Sequence, residues 1–198
     1  MMKRTLALAA CILPLLAGNA AGQANVVPDP LPRLPPQPGQ GLPLKDVRFL
    51  EQATEYSILQ MEIGELATEK ASLEAVRQFG NQQERDHEQF RQELMSLAER
   101  RDIVVSEQTS DDVWRRTIDR LRGQSGENFD REFLDLQLKI GKDLVDLYQT
   151  QASHSTDTEL ASFAITTLVR LQQHFATAQQ LGAALGLSAD TVEQPPQY

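Results

Sequence analysis

Residues 72–101 have the sequence SLEAVRQFGNQQERDHEQFRQELMSLAERR, and this stretch decides the fold. Its apolar residues recur every three or four positions, the pattern of an amphipathic helix with one buried face. His87 lies near the centre of that face. Glu84 lies one turn before it and about 60° round the helix. The stretch therefore predicts a long helix that carries a histidine into the interior of the protein.

Three further segments have the same spacing, and a short connector helix is predicted between the second and third long helices. Asp46 and Ser72 are predicted to cap the first and second helices, and Thr156-x-x-Glu159 has the pattern of a capping box for the fourth. Ser110-Asp111-Asp112 is predicted to cap the connector. No segment has the period of two that is typical of strands. The prediction is an all-α, antiparallel four-helix bundle over residues 46–186.

Residues 1–24 have the features of a secretory signal peptide. Lys3 and Arg4 precede an apolar run, and small residues at 20–24 offer a cleavage site, best at Gly22-Gln23-Ala24. The apolar run is shorter than the ~20 residues that a membrane span needs. We therefore expect a periplasmic or secreted protein, with no transmembrane segment after cleavage.

Cys11 is the chain's single cysteine, and it offers an alternative location. Leu8-Ala9-Ala10-Cys11 matches the residue types of a bacterial lipoprotein cleavage box, and lipid attached to Cys11 would anchor the protein. A lipoprotein would keep the apolar residues 12–17 at its mature N-terminus, so ordinary cleavage is the preferred interpretation. Cleavage at 20–24 removes the only thiol, and with it any disulfide or thiolate site.

Two segments outside the bundle are predicted to be extended or flexible. Residues 25–45 contain seven prolines, which disfavour helix and predict a disordered linker between the signal peptide and the folded domain. Residues 187–198 are predicted to form a flexible tail.

Charge restricts the classes of partner. The whole chain has 19 basic and 28 acidic residues, a net charge of −9, and removing Lys3 and Arg4 makes this −11. An acidic protein is repelled by phosphate backbones, so we expect no nucleic acid. The expected partner is another protein of the cell envelope or a second copy of this chain.

Glutamate followed three residues later by histidine is half of the ligand set of di-metal bundle proteins, and Glu84 and His87 have this spacing. The second half is missing, because Leu171 stands three residues before His174. The first and third helices place Gln60, Gln137 and Gly141 inward, and none of these is a strong ligand for iron or manganese. The sequence therefore predicts no di-iron centre.

Two interpretations of the inward residues remain open. In the first, the histidines belong to a buried polar cluster in which each imidazole bonds a glutamine or a tyrosine hydroxyl such as Tyr56 or Tyr148. In the second, one transition metal ion, Fe, Mn, Zn or Cu, is bound. The candidate ligands are His87, His174, Glu84 and Gln60. The preferred expectation is that no cofactor is bound.

Several short motifs, in this order, resemble the bacterial exported family called domain of unknown function 4142. They are Gly64-Glu65-Leu66-Ala67, Val76-x-x-Phe79, Asp86-His87, Phe129-Asp130-Arg131-Glu132-Phe133-Leu134 and Leu171-x-x-His174. The resemblance covers about residues 46–185. It implies a ferritin-like bundle and brings no biochemical activity with it.

The resemblance also implies an inward set of metal ligands that this chain has partly lost. The family pattern has histidines at the positions of His87 and His174, glutamate where Gln60 stands and histidine where Gly141 stands. Glu84 is not part of that pattern. The predicted function is a non-enzymatic envelope protein that acts as a binding or structural module. The alternative is a degenerate bundle that holds one metal ion through His87 and His174.

Overall fold

The computed structural model describes residues 41–106 and 112–187. The predicted signal peptide, Cys11, most of the proline-rich linker, Ser110, Asp111 and nearly all of the predicted tail lie outside these residues. In the described part of the chain every regular element is a helix. The helices are α1 (Leu44–Lys70), α2 (Glu74–Glu99), α3 (Asp112–Arg122), α4 (Gly126–His154) and α5 (Thr158–Ala184).

Four long helices form a bundle around one core. α1 packs along α2 and α4 packs along α5, while α1 also contacts α4 and α2 contacts α5. Links of three residues reverse the chain between α1 and α2 and between α4 and α5, so both pairs are antiparallel. The all-α prediction is confirmed. In the described part of the chain, no helix is long and apolar enough to cross a membrane.

Three predicted helix caps are wrong, because side chains from elsewhere do the capping or the helix begins at another residue. α1 begins at Leu44, and Asp46 instead accepts a hydrogen bond from Gln151 of α4 at 2.8 Å. Ser72 does not cap α2, whose N-cap residue is Leu73. For α5 the cap is Asp157, whose side chain accepts from the N–H groups of Glu159 and Leu160, so the box predicted at Thr156 is displaced by one residue.

Asp130 of α4 forms hydrogen bonds with the start of α2. Its carboxylate accepts hydrogen bonds from the backbone N–H groups of Ser72, at 2.9 Å, and Leu73, at 3.1 Å, and also from the Ser72 hydroxyl. A carboxylate satisfies N–H groups at a helix start that have no partner within the helix. The tertiary contact replaces the local cap that the sequence pattern predicted.

α3 packs on the side of the bundle, against α1 and α4. Ile118 and Leu121 are buried, and Trp114 packs edge-on against Tyr56 of α1 with ring centroids 6.0 Å apart. The arginines of α3 are largely paired with acids, since Arg122 bonds Glu62 at 2.7 Å. Arg115 pairs with Asp112 and Arg120 with Glu132.

Two glycines bring α1 and α2 close together and so position the residues of the site. A Cβ atom built on Gly64 would lie 2.6 Å from the carbonyl oxygen of Gly80, and one built on Gly80 would overlap Ala67. Gln60 lies one turn before Gly64, and Gln83 lies one turn after Gly80. The close approach of the two helices therefore brings these amide side chains into the same layer of the core.

We predict that Gly80→Ala destabilises the protein by about 1–3 kcal/mol, because the added methyl group must displace a packed helix. Gly182→Ala in α5 is the matched control. Its Cβ would meet its nearest neighbour at 3.5 Å, an ordinary contact. Alanine is favoured over glycine in a helix by about 1 kcal/mol, so this variant should be neutral or stabilised. Urea unfolding of both variants measures the difference, and equal stability of the two would contradict the close-packing argument.

Candidate functional site

The two inward histidines face each other across the core. His87 of α2 is 1% exposed and His174 of α5 is 4% exposed, and their ring centroids are 5.8 Å apart. Phe90 lies edge-on to the His87 ring at 5.2 Å, and Phe79 lies edge-on to the His174 ring at 6.4 Å. Both histidines were predicted to be buried on facing helices, and this is confirmed.

Asp86 orients the His174 ring. Its Oδ2 atom lies 2.8 Å from Nε2 of His174, and its Oδ1 atom accepts a hydrogen bond from Arg170 at 2.8 Å. A carboxylate beside a neutral imidazole fixes the proton on the nitrogen that donates to it. Nε2 of His174 therefore carries the proton, and the lone pair stays on Nδ1, which has no hydrogen-bond partner among the described residues.

His87 has no hydrogen-bond partner at all within the described part of the chain, since both its ring nitrogens are buried and unpaired. Tyrosine or glutamine partners were expected for the imidazoles, and that expectation is wrong for both histidines. His174 bonds a carboxylate instead, and His87 bonds nothing. Most buried polar groups in proteins are paired, so an imidazole with neither nitrogen paired requires an explanation.

Three glutamines form a directed network beside the histidines. Nε2 of Gln60 donates to Oε1 of Gln137 at 3.1 Å, and Nε2 of Gln137 donates back to Oε1 of Gln60 at 2.7 Å. Oε1 of Gln137 accepts a second bond from Nε2 of Gln83 at 3.2 Å. If the Gln83 amide alone were rotated by 180°, its oxygen would face Oε1 of Gln137, and two acceptors would meet. The network therefore leaves Oε1 of Gln83 buried and without a partner.

A small cavity lies between these groups. Its volume of about 10 Å³ is close to the room that one water molecule needs. The polar side chains around it are Gln60, Gln83, His87, Gln137 and His174. The apolar wall includes Gly141 and Phe175. A Cβ atom on Gly141 would lie 2.9 Å from the Phe175 ring, which therefore fills the space that a larger side chain would take.

Burial controls the charge of both imidazoles. Desolvation, reinforced by the neighbouring His174, holds the pKa of His87 well below its ordinary value. The pKa of His174 is also lowered, mainly by burial. The hydrogen bond and the charge of Asp86 oppose this effect, whereas Arg170 adds to it. Both rings are neutral at pH 7, the form in which a histidine nitrogen binds a metal ion.

The structure brings together three of the four predicted ligands and separates the fourth. His87, His174 and Gln60 line the cavity. Glu84 does not line it, because its backbone nitrogen and Cβ lie against Gly64 of α1. The three-residue spacing of Glu84 and His87 places them on one side of the helix. However, of these two residues only His87 lines the cavity.

Asp86 and Arg170 are the members of the site that sequence reasoning missed. Asp86 was noted only as part of a family motif. A signal was present, since Phe79, Gln83, Asp86 and Phe90 follow a 4-3-4 spacing that predicts one buried face. Arg170 lies one turn before His174, which is the spacing at which two residues of a helix are neighbours.

The arrangement offers lone pairs and no strong anionic ligand. Across residues 41–106 and 112–187, no three His, Cys, Asp or Glu side chains converge as a metal-binding group. The unpaired acceptors are instead two imidazole nitrogens and one amide oxygen. Asp86 stands behind His174 in the position that a carboxylate takes behind a metal-bound histidine.

The model of the family described as Domain of unknown function (DUF4142) matches residues 32–181. The chain belongs to this family. The match confirms the family predicted from the sequence motifs, and it includes all five residues of the cavity's polar wall. The DUF4142 chain also resembles a solved structure, the DUF305 fragment from Deinococcus radiodurans, with a TM-score of 0.65 and 13% identity.

The structural match covers 73% of the DUF4142 chain and 99% of the DUF305 fragment. At this identity the likeness shows a shared helical fold and no more. None of the curated proteins matches the DUF4142 chain.

We predict that the metal-free protein loses stability as the pH falls below about 6.5, the ordinary pKa of histidine. In the unfolded chain His87 takes up a proton there. The folded protein resists protonation, since its His87 pKa is lowered. The unfolded state then binds more protons, so acid favours it until the pH reaches the folded pKa, and above 6.5 the contribution is constant. The pKa of His174 is also lowered, so His174 contributes in the same direction, and Asp86 and Arg170 are the charged groups that face it.

Thermal unfolding in chelator-treated buffer between pH 5 and 8 measures the effect. His87→Gln should reduce the loss of stability below pH 6.5. The control is His154→Gln, which removes an exposed histidine and should keep the wild-type pH dependence. Identical pH dependence in wild type and His87→Gln would show that His87 is not held neutral.

Proposed function

We propose that this protein is a non-enzymatic binding module of the bacterial cell envelope. In this proposal its bundle is of the ferritin-like type, and it holds one transition metal ion between His87 and His174. The observation that carries the proposal is the set of buried polar atoms around one cavity that have no hydrogen-bond partner among the described residues. These atoms are both ring nitrogens of His87, Nδ1 of His174 and Oε1 of Gln83.

A metal ion accounts for these atoms better than a packed polar core does. Each unpaired buried polar group costs about 1–3 kcal/mol, and a core polar cluster gains nothing by leaving four atoms on facing helices unpaired. An ion bound at about 2.0–2.1 Å from a nitrogen of each ring fits between rings whose centroids are 5.8 Å apart. Asp86 supports such an ion through Nε2 of His174, because the carboxylate raises the basicity of the ring.

The size of the cavity supports binding rather than catalysis. About 10 Å³ accommodates an ion or one water and excludes an organic substrate from the histidines. Pockets that bind small organic molecules have volumes of roughly 300–1,000 Å³. We therefore assign the histidines to holding an ion and not to acid–base chemistry on a substrate.

Placement in the envelope rests on the sequence features that precede the bundle. The basic and apolar residues of 1–24 have the order of an export signal, and the prolines of 25–45 provide a tether. A net charge of −9 for the whole chain suits a protein that attracts cations. The partner in this proposal is the ion itself, together with whichever envelope protein or second copy exchanges it.

We predict that the purified protein binds one transition metal ion per chain and that binding requires both histidines. The protein is dialysed separately against Zn²⁺, Co²⁺, Ni²⁺ and, under anaerobic conditions, Cu⁺, and its metal content is then measured. Wild type and His154→Gln should retain about one ion per chain, whereas His87→Gln and His174→Gln should retain almost none. An ion at a hundred times its Kd should stabilise the wild type by about 2.7 kcal/mol.

Folding of each variant is checked by its helical circular dichroism, so that loss of metal is separated from loss of structure. If no ion binds to the folded wild type, the proposal is wrong and the histidines belong to a structural core. If His87→Gln and His174→Gln keep the metal, the ion is held elsewhere.

A further inference from the structure

We infer that the ion held by this site is monovalent copper, Cu⁺, and that the site discriminates against divalent ions by its lack of a carboxylate. This inference rests on the proposed function and names the class of ion that the site takes. Two features of the cavity carry it, namely the charge of the groups around the ion and the number of atoms that can reach it.

The first feature is charge. The five polar side chains around the cavity are three amides and two imidazoles, and none of them is a carboxylate. Asp86 is a nearby carboxylate, and it is engaged by Nε2 of His174 on one side and by Arg170 on the other. The positive charge of Arg170 offsets that of Asp86, so the pair adds little net negative charge.

The cost of burying an ion grows with the square of its charge, so a divalent ion costs about four times as much as a monovalent ion of equal size. Many divalent ions in proteins offset this cost through thiolate or carboxylate ligands. Glu84 could have supplied such a ligand, but it does not line the cavity. The cavity therefore favours an ion of single charge.

The second feature is the number of ligands. Zinc takes four ligands, and manganese and iron prefer six positions rich in oxygen. Here one nitrogen from each ring and Oε1 of Gln83 are the unpaired acceptors. Phe175 closes the space over Gly141 from which a further side chain could approach. Cu⁺ is stable with two or three ligands, and imidazole nitrogen is a suitable donor for copper.

The geometry also determines which nitrogen of His174 binds the ion. Asp86 occupies Nε2, so Nδ1 is the atom left for the ion. Asp86 is thus a positioning residue that acts through His174. Of the three residues with an unpaired acceptor, Gln83 is the one that can be substituted while both histidines are kept. Its substitution therefore changes the charge or the type of ligand atom at the cavity and leaves the imidazoles in place.

The experiment measures the affinities of the purified protein for Cu⁺, buffered anaerobically with the chelator bicinchoninate, and for Zn²⁺, buffered with a colorimetric chelator. Wild type should bind Cu⁺ at least about a thousandfold more tightly than Zn²⁺. Gln83→Glu adds a carboxylate at the cavity and should raise the affinity for Zn²⁺ at least about tenfold while changing that for Cu⁺ less than about threefold. Gln82→Glu adds the same charge on the exposed side of α2 and should change neither affinity.

A second variant keeps the test decisive if a buried glutamate prevents folding. Gln83→Met is neutral and adds a soft thioether, so it should raise the affinity for Cu⁺ at least about tenfold and leave that for Zn²⁺ unchanged or weaker. Zn²⁺ binding as tight as Cu⁺ binding in the wild type would overturn the inference while leaving the proposed function intact. The inference would also be overturned if Gln83→Glu folds and its affinity for Zn²⁺ does not rise. The same holds if the affinity of Gln83→Met for Cu⁺ does not rise. Binding of neither ion would overturn the proposed function as well.

Discussion

Burial of two neutral imidazoles at the centre of the bundle is the constraint on which the rest of the structure depends. Taking a polar ring out of water is unfavourable unless its nitrogens find partners. Asp86 satisfies one nitrogen of His174, while both nitrogens of His87 and the remaining one of His174 have no partner within residues 41–106 and 112–187. The unpaired atoms of both histidines lie around one small cavity, where a bound ion would satisfy them.

The packing of the bundle holds this cavity in place. Gly64 and Gly80 draw α1 against α2, and Asp130 of α4 fixes the start of α2. Gln60 and Gln137 join α1 to α4 through two mutual hydrogen bonds, and Gln83 of α2 donates to Gln137. Some of the side chains that join the helices thus also line the cavity. A change that loosens the helix contacts should also change the geometry at the histidines.

Helical spacing predicted much of the fold and half of the site. The periods of three and four residues placed His87, His174, Gln60 and Gln137 inward, because burial on a helix is a local property of the sequence. Two of the three caps failed for the opposite reason. Asp130 and Gln151 act on α2 and α1 from another helix, and no local pattern encodes such a contact. Asp86 was missed because its partner His174 is 88 residues away in the sequence. Glu84 was wrongly included among the candidate ligands, because spacing alone does not say which neighbouring helix a side chain meets.

A crystal structure of the metal-loaded protein with anomalous diffraction data at the absorption edge of the ion tests the central claim most directly. The account predicts one anomalous peak per chain, between a ring nitrogen of His87 and Nδ1 of His174, with Nε2 of His174 still on Asp86. A water molecule in the cavity without an anomalous peak would contradict the claim, and so would a peak at any other place.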